Sequence, residues 1–266
     1  MSVLQILAVG NATMAERYTY VPYIGLIFMV LFLIDRKLDL KKLSLHLGLV
    51  SLVFLFLTAI QVKTWKNTTA LLENSILHHP DDSYLASSLA TIYAKSGKIE
   101  EAIKICAGPI SRGATNYKFY EITGNFLFLK NDFQKAIKYY KDGLSFAKDS
   151  LSKNILYRNH GVVYQRIDMS EALKNLEEAY KFKKDADLLK LKGGSLIALK
   201  RYKEALDDLN EVQRMGFASD STFIDMAVAK YELGDKVGAV NDLETALKIN
   251  PNNTTAKNNL KVLGIN

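Results

Sequence analysis

The sequence predicts an all-α chain, a superhelical solenoid of helix-turn-helix repeats preceded by a two-helix transmembrane hairpin. Three observations predict it. Charge is uneven: residues 1–63 hold only six of the 35 Lys/Arg and three of the 28 Asp/Glu. Long uncharged runs fill that same segment. Further on, small residues recur at nearly constant spacing in a region with few prolines. The whole-chain averages, 48% apolar residues and a mean hydropathy of −0.01, therefore mix two different materials. They exclude a disordered or collagen-like chain, and a single cysteine excludes a disulfide scaffold.

The first 63 residues read as membrane. Tyr18 to Ile34 carries no charge, and from Leu43 to Val62 the one titratable side chain is His46. A bilayer core needs roughly 17–25 apolar helical residues, so spans are expected near 20–35 and 43–62. Tyr18, Tyr20 and Tyr23 suit the interface. Met1–Ala15 has no Lys or Arg, which argues against a signal peptide. The loop between the spans carries Arg36, Lys37, Lys41 and Lys42, so it is expected in the cytosol, with both ends outside it. The expected location is thus the inner or plasma membrane, with the repeats extracytoplasmic.

Residues 64–82 read as a connecting helix, Trp65 to His79, that continues from the second span and ends at Pro80. Five repeats follow, at about 83–116, 117–150, 154–185, 186–219 and 220–253. A small anchor, Ala90, Gly124, Gly161, Gly193 or Ala227, marks the first helix of each. An alanine, Ala102, Ala136, Ala172, Ala205 or Ala239, marks the second. Small residues on facing helices permit close approach, and the larger neighbours fill the remaining space. Gly97, Asn131 and Gly234 suit the intervening turns, where a left-handed backbone is common. One such unit cannot bury its apolar face alone, so neighbours stack. Residues 254–266 read as a capping helix with polar Lys257, Asn258 and Asn259 outward.

Together with the turn glycines and Tyr93, Tyr140, Tyr164 and Tyr202, this pattern resembles the tetratricopeptide repeat (TPR), whose unit is about 34 residues. The membrane segment carries a second resemblance. Gln5 to Gly25, with Glu16-Arg17-Tyr18-Thr19-Tyr20-Val21-Pro22 at its centre, resembles a stretch of the transmembrane and TPR proteins, which are C-superfamily glycosyltransferases using lipid-linked sugars. The resemblance implies that Glu16, Arg17, Tyr18 and Tyr20 form a family motif, with Arg17 suited to a lipid phosphate. It also implies that the family's catalytic carboxylates lie in a loop upstream of anything present here. The chain is expected to match only the C-terminal part of that architecture and not to be an enzyme on its own.

Other candidate sites reduce to packing. His78 and His79 are adjacent, so they point to different helix faces and do not make an i, i+4 metal pair. Cys106 falls at a large packing position of a second helix and reads as a buried thiol. His160 has no nucleophile or acid at a useful spacing. The net charge of +7 is no nucleic-acid signal, because residues 64–266 hold 29 Lys/Arg against 25 Asp/Glu, mixed along every helix. No cofactor, metal or nucleic acid is expected. The expected partners are the bilayer and a protein or peptide bound in the concave groove. By register that groove is lined by Tyr84, Ser87, Thr91, Glu121, Asn125, Phe128, Arg158, Asn159, Gln165, Arg166, Lys190, Tyr231 and Glu232. Asn125 and Asn159 look like two positions of the carboxylate clamp that captures C-terminal tails. Glu121 and Asp187 stand where that clamp needs lysine, so tail capture is not expected. The function expected is that of a membrane-anchored interaction protein. The alternative is the acceptor-recruiting portion of a lipid-linked-sugar-dependent glycosyltransferase.

Overall fold

The computed structural model describes residues 66–264 together with Leu52, Val53, Leu55 and Phe56. The chain divides into two compact units, Met1–Leu85 and Ala86–Asn266. Twelve α-helices lie within residues 66–264, and no strands occur among the described residues.

In the first unit, Leu52, Val53, Leu55 and Phe56 are helical with exposed side chains. Helix α1 runs Thr68–His78. Among the described residues no helix is long and apolar enough to cross a membrane. The spans expected near 20–35 and 43–62 lie outside the described residues, apart from those four positions. One expectation needs correcting. Within the expected connecting helix, Lys66 and Asn67 are not helical, and the helix starts at Thr68. Asn67 has extended backbone, and its side-chain oxygen accepts the Ala70 N–H at 2.8 Å, which caps a helix that starts at Thr68. At the far end, Asp82 Oδ1 accepts the N–H groups of Tyr84 and Leu85 and opens α2, Ser83–Lys95.

In the second unit, α2 continues and is followed by α3 (Ile99–Ser111), α4 (Tyr117–Leu129), α5 (Phe133–Leu144), α6 (Ser150–Tyr164) and α7 (Met169–Phe182). Then come α8 (Ala186–Ala198), α9 (Tyr202–Arg214), α10 (Asp220–Glu232), α11 (Lys236–Ile249) and α12 (Thr254–Val262). The even-numbered helices from α4 to α10 are first helices (A), and each packs on the second helix (B) that follows it. Each B helix then packs on the next A helix, so the array grows in one direction. Asn116, Asp132, Asp149, Asp168, Asp185, Asp235 and Asn253 each cap the start of a helix through a side-chain oxygen. These short acceptors satisfy backbone donors that a helix cannot bond internally.

The seam between A and B explains the small residues. Ala102, Ala136, Ala172, Ala205 and Ala239 are all fully buried. On the A side, a Cβ added to Gly124 would lie 2.5 Å from Tyr140 Cε1. One added to Gly161 would lie 2.7 Å from Leu176 Cγ, and one on Gly193 would lie 2.8 Å from Leu209 Cδ2. Tyr140, Leu176 and Leu209 sit four residues after the seam alanine of their own helix, so one helical turn presents both the small and the large partner. Burying such side chains contributes roughly 1.5–3 kcal/mol each.

The A–B turns adopt the left-handed backbone at Gly97 (φ 78°), Asn131 (φ 63°) and Gly234 (φ 90°). Lys200 takes the same conformation (φ 60°) without being glycine or asparagine.

Candidate functional site

Adjacent A helices touch directly, α4 with α6 and α8 with α10, and Gln165 at the end of α6 bonds Leu191 and Ser195 of α8, so their free faces form one continuous surface within the second unit. That surface is the candidate peptide groove.

Several expected groove residues turn out to join one helix pair to the next. Asn125 is a hub. Its Oδ1 accepts from the Tyr140 hydroxyl at 2.6 Å and from Asn159 Nδ2 at 3.0 Å, which links α4, α5 and α6. The Glu121 carboxylate lies one turn earlier on the same helix, near the Asn125 amide. Burial pushes that carboxylate above its ordinary pKa, and the nearby Asn125 amide pulls it part of the way back. Arg158 reaches along the array to Asp185, with Nη2 2.6 Å from both carboxylate oxygens. Asp185 is simultaneously the N-cap of α8, accepting the Leu188 N–H at 2.9 Å. Gln165 donates to the Leu191 carbonyl at 3.1 Å and to Ser195 Oγ at 2.9 Å, which joins α6 to α8. Phe128 is half-buried in the core beside Phe133, with ring centroids 5.8 Å apart.

The rest are more open. Lys190 is half-buried and makes a 3.4 Å ion pair with exposed Asp187. Arg166, Tyr231 and Glu232 are exposed at the C-terminal ends of their A-helix segments. Thr91 is exposed and returns its hydroxyl to the Ser87 carbonyl. Tyr84 lies in the first unit and is exposed. Glu16, Arg17, Tyr18 and Tyr20 lie outside the described residues.

Three positions the sequence reading passed over complete the surface. A depression is lined by Gln165, Asp187, Lys190, Leu191 and Gly194. Gly194 is the opposite of its neighbour Gly193, because a Cβ built on it meets nothing within 4 Å. Asp225 stands two residues before its anchor, as Asn159 does, so repeat register was the signal that would have found it. Its half-buried carboxylate is pushed up to about 6 by burial.

Candidates for chemistry elsewhere are enclosed. Cys106 is fully buried against the Ala86 carbonyl at 3.9 Å, and burial pushes its thiol up to about 12. A thiol so held is not a nucleophile at neutral pH. His160 is buried between the rings of Tyr140 and Tyr164, and burial lowers its pKa to about 4. Asn175 lies near enough to oppose that shift in part, but outside hydrogen-bond geometry with either ring nitrogen. Among the described residues no three His, Cys, Asp or Glu are grouped to hold a metal.

Comparison with known proteins agrees on the fold. The solved TPR protein YrrB, described as having an unusual peptide-binding site, superposes with a TM-score of 0.59 at 18% identity, over 71% of this chain and 97% of that one. PilF of Pseudomonas aeruginosa gives 0.61 at 13% identity, over 77% and 93%. MamA from Desulfovibrio magneticus RS-1 gives 0.57 at 14%, over 65% and 97%. In sequence, the chain is 25% identical over 180 residues to Hsp70-Hsp90 organizing protein 1 of Glycine max. That match takes in 66% of this chain but spans only 31% of the relative's length. No family model matches. The described helices are therefore a solenoid of the TPR type. None of these four proteins is described as a glycosyltransferase, and the Gln5–Gly25 stretch that carries that resemblance lies outside the described residues.

Proposed function

We propose that this chain is an interaction scaffold that binds an extended protein segment along the A-helix face of its repeats, and that it carries out no chemistry itself. One observation carries the reading: the depression beside Gly194, where the A-helix face is open although neighbouring positions are tied together. A missing side chain there lets a ligand backbone approach the helix closely. The likeness to YrrB supports a peptide as the occupant.

The test is selection of random peptides displayed on phage against the full chain in lipid nanodiscs, beside a Gly194→Trp variant. A Cβ at 194 meets nothing within 4 Å, so the variant should fold with its ring filling the depression, and retained helical melting is the check. Peptides enriched on the wild type should be lost on Gly194→Trp. Equal capture by both would remove the groove from the proposal.

The uncharged runs of residues 18–34 and 43–62 support holding this scaffold in a membrane by two spans. The basic loop Arg36–Lys42 supports placing the repeats outside the cytosol. A reporter active only outside the cytosol, fused after Asn266, should work, and activity of a cytosol-only reporter there would reverse the topology. The Glu16–Pro22 stretch favours a second reading, in which the repeats recruit the acceptor of a lipid-linked-sugar-dependent glycosyltransferase. Mass spectrometry of the captured partner separates the two readings. A sugar present on the partner in cells that hold the chain, and missing after its deletion, would favour the second.

A further inference from the structure

We propose that the A helices α8 and α10 receive a basic side chain, lysine or arginine, of the bound peptide, between Gly194 of α8 and Asp225 of α10. This rests on the groove reading above and names its ligand chemistry.

Three other shielded carboxylates of the fold are paired with cations, and Asp220 accepts from the Asn250 and Asn253 amides at 2.8 Å. Asp208 has Lys192 at 3.1 Å, Asp242 has Lys230 at 2.6 Å, and Asp185 has Arg158 at 2.6 Å. Among the described residues Asp225 has no ion pair or hydrogen bond, and burial alone raises its pKa. A partly desolvated carboxylate without a partner is costly, and an incoming cation removes that cost.

Register shows where this carboxylate lies. Asn125 follows its anchor by one residue, Asn159 precedes its anchor by two, and the two are hydrogen-bonded across neighbouring A helices. The same two positions in the next but one step of the array are Gly194 and Asp225. Asn125 gives Asn159 a polar partner there, whereas Gly194 gives Asp225 empty space. The depression is lined from α8 and the end of α6, and by register Asp225 lies on the α10 side of Gly194, where the array's own polar tie is missing and a ligand group supplies it.

Charge along the groove agrees. On α8 and α10, with Lys190 and Asp187 paired to each other, the face keeps Asp225 and Glu232. On α4 and just past the end of α6, Lys118 and Arg166 outnumber Glu121, while Arg158 is paired with Asp185. A basic side chain is therefore drawn to the α8–α10 end, where opposite charge fixes partner choice and register.

The same phage selection tests this, with Asp225→Asn and Asp225→Glu beside the wild type. Asp225→Asn removes an unpaired charge and keeps the shape, so helical melting should be retained or raised. Peptides chosen by the wild type should carry Lys or Arg at one position at least about fivefold above the library frequency. That excess should vanish in Asp225→Asn and persist in Asp225→Glu, while both variants still enrich peptides. A wild-type pool without the excess, a pool rich in acidic residues, or an excess that survives Asp225→Asn would overturn the proposal and leave the groove reading standing. Peptides that bind Gly194→Trp undiminished would instead remove the groove itself.

Discussion

The Tyr140 ring lies so close over Gly124 that a methyl group at position 124 would come within 2.5 Å of Cε1. Tyr140 is fully buried and its hydroxyl is held by Asn125, so the ring is pinned from both ends and has nowhere to move. Gly124→Ala should therefore destabilise the array by about 1–3 kcal/mol, because overpacking outweighs the ~1 kcal/mol that alanine gains over glycine in a helix. Urea unfolding followed by circular dichroism measures it. A variant as stable as the wild type would mean that the seam is looser than these distances.

Lys200 occupies a left-handed turn that Gly97 and Gly234 occupy without steric cost. Lys200→Gly should stabilise by about 0.5–1 kcal/mol, and Gly234→Lys should destabilise by a similar amount. Opposite signs for the two substitutions are the check. The same sign in both would contradict the backbone assignment.

Asp185 caps α8 and neutralises Arg158, whereas Asp187, two residues on, is exposed. Asp185→Ala should cost about 2–3 kcal/mol, through the lost cap and the half-buried guanidinium left without its partner. Asp187→Ala should stay within about 0.5 kcal/mol. Similar midpoints for the two variants would show that the Arg158 tie contributes nothing. It follows that Arg158→Ala is a poor probe of ligand binding, since it also loosens a joint.

Two groups set opposing pH dependences. His160 falls from 6.5 to about 4, so the folded state prefers it neutral. Its contribution is complete above 6.5 and is lost as pH falls toward 4. Asp225 rises from 3.8 to about 6, so the folded state prefers it protonated, and its contribution is complete below 3.8 and lost as pH rises through 6. His160→Phe should flatten the acid side of the stability profile by about 1–3 kcal/mol. Asp225→Asn should raise stability at pH 7 by about 1–2 kcal/mol and leave pH 3.5 unchanged. Profiles from thermal melts between pH 3.5 and 8 decide both. An Asp225→Asn gain that is the same at every pH would mean the carboxylate is not desolvated.

The seam was legible in the sequence because close helix approach permits only Ala or Gly. Ala102 and its four counterparts are selected by volume alone, at a spacing the repeat fixes. The turn at Lys200 was not legible, because a left-handed lysine is tolerated only when the flanking helices impose it. Groove polarity was half legible. Asn125, Arg158 and Gln165 were placed on the correct helices, yet a polar side chain on an A helix reads the same whether it meets a ligand or the next repeat. Arg158 could be told apart only once Asp185, 27 residues on, was seen to stand beside it. Asp225 stayed hidden because its significance lies in what Gly194 leaves open. The membrane motif and both expected spans lie outside the described residues, so the sequence alone speaks for them.

Gly193 and Gly194 are chain neighbours with opposite tolerance. The first faces Leu209 at a distance that admits no side chain, and the second faces open space. A change at 193 is paid in stability, whereas a change at 194 alters only what fits on the surface. On the groove reading proposed above, ligand preference would change through single substitutions at 194 while the stacking set by 193 stays fixed. On the same reading, arrays that keep glycine at the first position would be free to differ in partner through the second.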